Sequence, residues 1–410
     1  LLAQNNMVSS ALPCTCHVPS CVELNSSPSS KALLLDNLRQ LGWSPIQWKD
    51  PRFPPPTADR IQSLFSTSTI TKDIPLLKYR SQESGGRATV EPKESLELEQ
   101  SQIGASDGPA SSSWEYQQVK DWCWTLSKIA HVVNQMLDIP SNVLLVNDHD
   151  NGDDDDDGDG QTKEDNNDND KNRAHQDRLD LLRVFYYHQV PQHPPGKDER
   201  VFGSSPHTDW GSWTVVWQDS VGGLETFCRK CQTWIPVPPA SSTDIADQQE
   251  HIWNCVVHVG DLASLALGKE SQAIQQPDQT ASGVDPAPPA TTQSNTEEVV
   301  QWPSPRHRVI SPTQTIRTSL VYFAYPPPHL SLAQVQEALV DWNKPRGLQL
   351  PLSEYYLLQD QSSSNTTGNN PNHPDLVEER PVVASYQKIR HRSIQDVIQS
   401  KWDQVQRESV

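Results

Sequence analysis

The apolar positions of this chain change period several times, and each change predicts an element. Leu33, Leu34, Leu38 and Leu41 recur at spacings of three and four, which predicts a helix over 30–42 that Gly42 stops, followed by a short strand over 43–48. Val119, Trp122, Leu126, Ile129, Val133 and Met136 predict a longer helix over 112–138, with Ser112 and Glu115 at capping-box spacing and an apolar face to lay along a sheet. Beyond it the pattern becomes β-like, over 179–187, 213–218, 224–227, 233–237, 255–259, 308–310 and 318–325, and two more helices are expected at 331–342 and 393–406. Many short strands broken by Gly and Pro favour a sandwich or barrel over a parallel sheet, so the expected fold class is mainly β with flanking helices.

Composition limits how much of the 410 residues can be core, because only 34% are hydrophobic and 34 are proline. The acidic run over 148–171 and the Gln-, Pro-, Thr- and Ser-rich stretch over 269–300 read as solvated insertions. The expected organisation is a flexible tail at 1–30, a helical N-terminal region at 31–140, an acidic disordered insert at 141–177, a core at 178–330 interrupted by the disordered 269–300, and a C-terminal helical extension at 331–410.

A formal charge of −19, with no stripe of Lys and Arg to offset it, repels nucleic acid and anionic lipid. No apolar run is long enough to span a bilayer, so neither a nucleic-acid nor a membrane role is expected. Seven cysteines in no regular framework point to reduced thiols and a cytoplasmic protein, although a chain that starts at Leu leaves a targeting segment open. Oligomeric state is not legible.

The chemistry concentrates in Ser205-Pro206-His207-Thr208-Asp209-Trp210-Gly211. In extended chain, residues two apart share a face, so His207 and Asp209 can present an imidazole and a carboxylate to one metal ion. Two histidines and one carboxylate on one face of an ion leave the other face open, which suits iron(II) chemistry with oxygen, and His307 in Pro305-Arg306-His307-Arg308-Val309 is the best third ligand. Ten residues on, Arg317 and Ser319 put a guanidinium and a hydroxyl on one strand face, a fork for a carboxylate.

A His-x-Asp pair alone is weak, but the ordered set is specific. His207-x-Asp209, Gly222-Gly223-Leu224, Trp234-Ile235-Pro236-Val237, Val259-Gly260-Asp261, His307-Arg308-Val309 and Arg317-Thr318-Ser319 resemble the isopenicillin-N-synthase-like branch of the 2-oxoglutarate and iron(II) dependent dioxygenases. The resemblance covers roughly 31–140 and 178–330. It implies a distorted double-stranded β-helix, or jelly roll, with Fe(II) held by His207, Asp209 and His307 and with 2-oxoglutarate as co-substrate. Its far carboxylate would meet Arg317 and Ser319, with Tyr187, and Tyr186 second, as the tyrosine beside it. The implied reaction oxidises a small organic molecule with molecular oxygen, by hydroxylation, desaturation or ring closure, and releases succinate and carbon dioxide. Two departures stand out: His258 replaces an Asn usual in the family, and the Asn-Gly turn before the distal histidine segment is replaced by Leu267-Gly268 and the long insert. His207 and His307 are therefore far apart in sequence, and the site closes only if the insert loops out.

Other patterns carry less. His188, His193, His251 and His329 lack partners at an informative offset, whereas His258 lies on a strand running toward the site, as a candidate hydrogen bonder behind the ligands. Cys228 and Cys231 have no second pair for zinc and read as a hairpin with free thiols, and Cys14, Cys16 and Cys21 lack a fourth ligand. Asp153, Asp155, Asp157, Gly158 and Glu164 match a calcium loop, but an Asp-rich run generates that match by accident and Gly160 stands where the loop needs an aliphatic residue. Two further function classes remain: a same-fold iron oxidase that does not use 2-oxoglutarate, and a non-catalytic interaction protein.

Overall fold

The computed structural model describes residues 18–66, 70, 74–82, 88–99, 113–146, 178–191, 201–229, 232–239, 251–267, 302–339, 342 and 389–408. Cys14, Cys16, Cys231, the acidic run with its calcium-like pattern, and the 269–300 insert lie outside them.

The chain opens with β1 (Val22–Glu23), α1 (Pro28–Leu41), β2 (Trp43–Lys49), α2 (Ala58–Ser66), β3 (Leu76–Gln82) and β4 (Ala88–Glu99). Helix α3 (Trp114–Met136) and β5 (Leu181–Tyr187) follow. The core continues through β6 (Phe202–His207), β7 (Trp213–Gln218), β8 (Leu224–Cys228), β9 (Thr233–Pro236), β10 (Ile252–Val259) and α4 (Asp261–Leu267). It closes with β11 (His307–Ile310), β12 (Arg317–Ala324), α5 (Leu332–Ala338) and α6 (Ile394–Glu408).

Two expectations need correction. Structure begins inside the stretch read as a tail, because Val22 pairs in parallel with Ile46 and the Ser27 hydroxyl caps α1, with Pro28 in its first turn. The stretch read as helical also supplies three strands of the large sheet, β2, expected over 43–48, and β3 and β4, which were not expected. The latter two are rich in charged and polar residues, as in Glu91-Pro92-Lys93-Glu94, so no apolar alternation announces them. The cap of α3 also differs, since Ser113 rather than Ser112 accepts the Tyr116 N–H and Glu115 falls one position early for a capping box.

The described strands form an eight-stranded sheet in the order β1-β2-β10-β7-β12-β5-β4-β3 and a four-stranded sheet in the order β6-β11-β8-β9. Residue parity assigns the two faces of the large sheet. Val215, Trp217, Val257, Val259, Leu320 and Tyr322 point to the main core, where Val119, Trp122, Leu126, Ile129 and Val133 of α3 cover them. Each side chain fully buried there contributes about 1.5–3 kcal/mol. The alternate positions, Phe185, Tyr187, Val216 and Val256, meet Leu224, Val237 and Val309 of the small sheet in a second cluster between the sheets. Two facing sheets with their own apolar interlayer make the sandwich that the strand pattern favoured, in the jelly-roll form that the resemblance implied. No helix among the described residues is long and apolar enough to cross a membrane.

Candidate active site

His207 and His307 are direct cross-strand partners in the β6–β11 pairing, so the hundred positions between them close to a ring-centroid distance of 4.4 Å. Each ring is turned in the same way. His207 Nδ1 lies 2.7 Å from the Ser205 carbonyl and His307 Nδ1 3.0 Å from the Pro305 carbonyl, in both cases the carbonyl two residues earlier. A carbonyl can only accept, so each Nδ1 carries the proton and each Nε2 is left with its lone pair facing the site. Those nitrogens face one carboxylate: His207 Nε2 is 3.7 Å from Asp209 Oδ1 and His307 Nε2 is 3.6 Å from Asp209 Oδ2.

Asp209 sits beyond the end of β6, in a turn that the backbone fixes from two directions. Its carbonyl accepts the Asp261 N–H at 2.7 Å, and Gly260 donates to the Ser212 carbonyl at 2.8 Å. The approach is too close for side chains: a Cβ on Gly260 would run into the Gly211 carbonyl, and one on Gly211 into the Ala324 carbonyl. The Gly after His-x-Asp-x and the Gly of Val-Gly-Asp thus let the ligand turn, α4 and β12 stack on one another.

The donor set fits a divalent metal. One ligand atom from each of His207, Asp209 and His307 lies within 4.8 Å of the others. Burial acts to raise the Asp209 carboxyl, but the neighbouring His307, His258 and His207 outweigh it and hold it well below the usual carboxylate range. Asp209 Oδ2 is nevertheless buried with no hydrogen-bond donor, an arrangement that is costly for an anion unless a cation completes it. His207 keeps 44% of its side-chain surface exposed, which leaves one edge of the site open.

Farther along the same interior stands the carboxylate fork. Arg317 and Ser319 alternate with Thr318 on β12, and Arg317 is only 1% exposed. Its Nε donates to the Gly222 carbonyl, Nη1 to Ser319 Oγ at 3.2 Å and Nη2 to Gln218 Oε1 at 3.1 Å. That carbonyl is available because Gly222 and Gly223 both adopt positive φ, 73° and 93°, at the turn before β8. The guanidinium lies 4.5 Å from the centre of the Tyr187 ring, its cross-strand neighbour. Tyr186 points away, against Phe65 and His188. The structure thus brings Tyr187 to the fork and leaves Tyr186 outside.

Four contributors escaped sequence reasoning. Gln218, the last residue of β7, steers Arg317 and is itself held by the Val237 and Pro238 carbonyls. Asp219 pins the start of β12, its Oδ2 accepting both the N–H and the hydroxyl of Thr318. Glu91 and Lys93 brace β6: Glu91 Oε1 accepts from Ser205 N at 2.9 Å and Ser205 Oγ at 2.8 Å, while Lys93 Nζ reaches Glu91 Oε2 at 2.8 Å and Ser204 Oγ at 2.6 Å. Only the Glu91-Pro92-Lys93-Glu94-Ser95 string itself, inside the family resemblance, could have flagged that brace. Cys228 forms no disulfide among the described residues.

Two histidines and an aspartate gather at one place between the sheets, and a buried arginine lies beside a serine on β12. Residues 179–262 match the model of the 2OG-Fe(II) oxygenase superfamily. The match ends before His307 and Arg317, which the fold supplies. A 2-oxoglutarate-dependent dioxygenase of Didymella fabae is 44% identical over 69 residues, 16% of this chain and 20% of that protein. A 1-aminocyclopropane-1-carboxylate oxidase of Dictyostelium discoideum is 44% identical over 46 residues, 11% of this chain and 12% of its own length. The chain therefore aligns with about a fifth or less of the curated relatives it matches. Among solved structures, the dioxygenase for auxin oxidation 1 of Arabidopsis thaliana, as its 2-oxoglutarate complex, is 13% identical with a TM-score of 0.43, over 76% of this chain and 93% of that one. JOX2 in complex with 2OG, Fe and JA is 17% identical with a TM-score of 0.45, over 76% of each chain.

Proposed function

We propose that this protein is an iron(II)- and 2-oxoglutarate-dependent dioxygenase of the isopenicillin-N-synthase-like branch, oxidising a small organic molecule by hydroxylation, desaturation or ring closure. The observation that carries this reading is the convergence of His207, Asp209 and His307, the last two buried and His207 open to solvent, together with the buried Arg317–Ser319 pair.

Fe(II), when bound, supplies the redox chemistry with oxygen, while 2-oxoglutarate supplies two electrons and leaves as succinate and carbon dioxide. The protein's own residues bind, orient and exclude water. His207 and His307 offer Nε2 because their Nδ1 protons are tied to backbone carbonyls. Asp209 brings the negative charge that a divalent ion needs and is held in place from α4. Arg317 and Ser319 receive the far carboxylate of the co-substrate, and the Tyr187 face and the Gln218 amide fix the guanidinium's plane. Phe185, Val216, Val256, Leu224 and Val309 keep the space between the sheets dry. Cys21, Cys123, Cys228 and Cys255 form no disulfide among the described residues.

The test is an anaerobic titration with iron(II) and then 2-oxoglutarate, following the weak visible charge-transfer band that bidentate chelation of a 2-oxo acid produces. The expected result is a band that is lost in His307→Ala. Iron binding without the band would move the 2-oxoglutarate-independent oxidase ahead, and no iron binding would remove the enzyme reading.

A further inference from the structure

His258 is the least explained side chain near the site. It lies on β10 between Trp43 of β2 and Thr214 of β7, is 0% exposed, and has no hydrogen-bond partner at either ring nitrogen among the described residues. Burying such a group without a partner costs about 1–3 kcal/mol, so its retention in this position calls for a compensating role.

Its surroundings indicate which. The His258 ring packs 4.6 Å from the His307 ring, and its Nδ1 faces Asp209 Oδ2 at 3.8 Å. That oxygen is the carboxylate atom that also faces His307 and that no donor in the described structure reaches. His258 does not belong to the group whose ligand atoms gather within 4.8 Å, so it stands behind Asp209 rather than beside it as a fourth ligand. The separation exceeds hydrogen-bond length, roughly 2.7–3.2 Å, and a small turn of either side chain would close it. Asp209 is anchored through its backbone, by the Asp261 N–H, while no donor among the described residues reaches its Oδ2.

We propose that His258 is the positioning residue of Asp209: its Nδ1–H holds Oδ2, so that the carboxylate offers one oxygen rather than two to the metal and the open face stays open. The proposal rests on the metal reading given above. A carboxylate free to rotate could take the ion through both oxygens and occupy a position that co-substrate or oxygen needs. Outer partners of this kind change metal affinity by about ten- to a hundred-fold when removed.

The experiment uses the full chain, stripped of metal, with cobalt(II) as the probe, reading its dissociation constant and visible spectrum alongside the melting temperature of the metal-free protein. His258→Leu should weaken cobalt(II) binding about ten-fold or more and change the spectrum, while the metal-free melting temperature holds or rises because an unpartnered polar group has gone. His258→Asn, whose amide N–H replaces Nδ1–H, should keep most of the affinity. Should the Leu variant not fold, His258→Met takes its place, since Met adapts to irregular core space. Unchanged affinity in the apolar variant, or equal loss in the Asn and apolar variants, overturns the proposal. If wild-type protein takes up no cobalt(II), the metal reading itself falls first.

Discussion

On the proposed function, the site's residues divide by whether they would touch the ion or the co-substrate, and substitutions should separate the two groups. His207→Ala or Asp209→Ala removes a metal ligand and should abolish iron binding, measured as metal content after anaerobic loading. Arg317→Met should leave iron affinity unchanged and raise the 2-oxoglutarate concentration for half-maximal turnover at least ten-fold, because a charge-assisted fork of about 1.5–3 kcal/mol is lost. Unchanged co-substrate affinity would show that the fork serves something else. At this scale the sequence was largely readable. His207, Asp209, His307, Arg317 and Ser319 could be singled out as candidates because metal ligands and anion forks need particular residue types at fixed strand spacings, and the structure brings the first three together. Gln218 and Asp219 do not, since their roles depend on which carbonyls and hydroxyls the fold sets opposite them, and a Gln at a strand end carries no spacing signal.

At the scale of elements, β4 is where the pattern of apolar residues failed and where a buried ion pair does structural service for β6. Burial works to raise the Glu91 carboxyl, but the Lys93 ammonium and the two Ser205 bonds win and hold it below its ordinary value of 4.5. A carboxylate with a depressed folded-state pKa stabilises the protein above its unfolded value and loses that contribution as the pH falls through the folded value. Glu91→Gln should therefore destabilise the protein by about 1–3 kcal/mol at pH 7, and the gap from wild type should narrow progressively below pH 4.5. Denaturant unfolding at a series of pH values reads this directly, and a pH-independent gap would mean that packing rather than charge holds β4 to β6. The Gly211–Gly260 approach gives a second test. Gly260→Ala should cost several kcal/mol, roughly 2–4 as for other overpacked or strained sites, and should lower metal affinity as well, because the carbonyl it displaces belongs to the Asp209 turn. An alanine variant that melts normally and binds metal normally would show that the turn has room to move.

Across the whole molecule, the fold must join a signature that stops at residue 262 to ligands that begin at 307. The stretch between carries few apolar residues and many Gln, Pro, Thr and Ser, so its composition gives it little to bury. Both of its flanks end in the core, at Leu267 on α4 and at Trp302, each 1% exposed. From there the chain is already committed, since Pro305 holds the His307 ring and β11 pairs with both β6 and β8. Loop-closure entropy grows only with the logarithm of length, so a long connection adds little cost over a short one. Replacing 270–299 by a Gly/Ser linker of about ten residues, long enough to reach some 30 Å when extended, should leave iron and 2-oxoglutarate binding intact, with stability within about 1 kcal/mol of the full chain. Retained binding would make the site a property of the two sheets alone, whereas loss of the charge-transfer band with folding preserved would show that this stretch reaches back to the site and takes part in it.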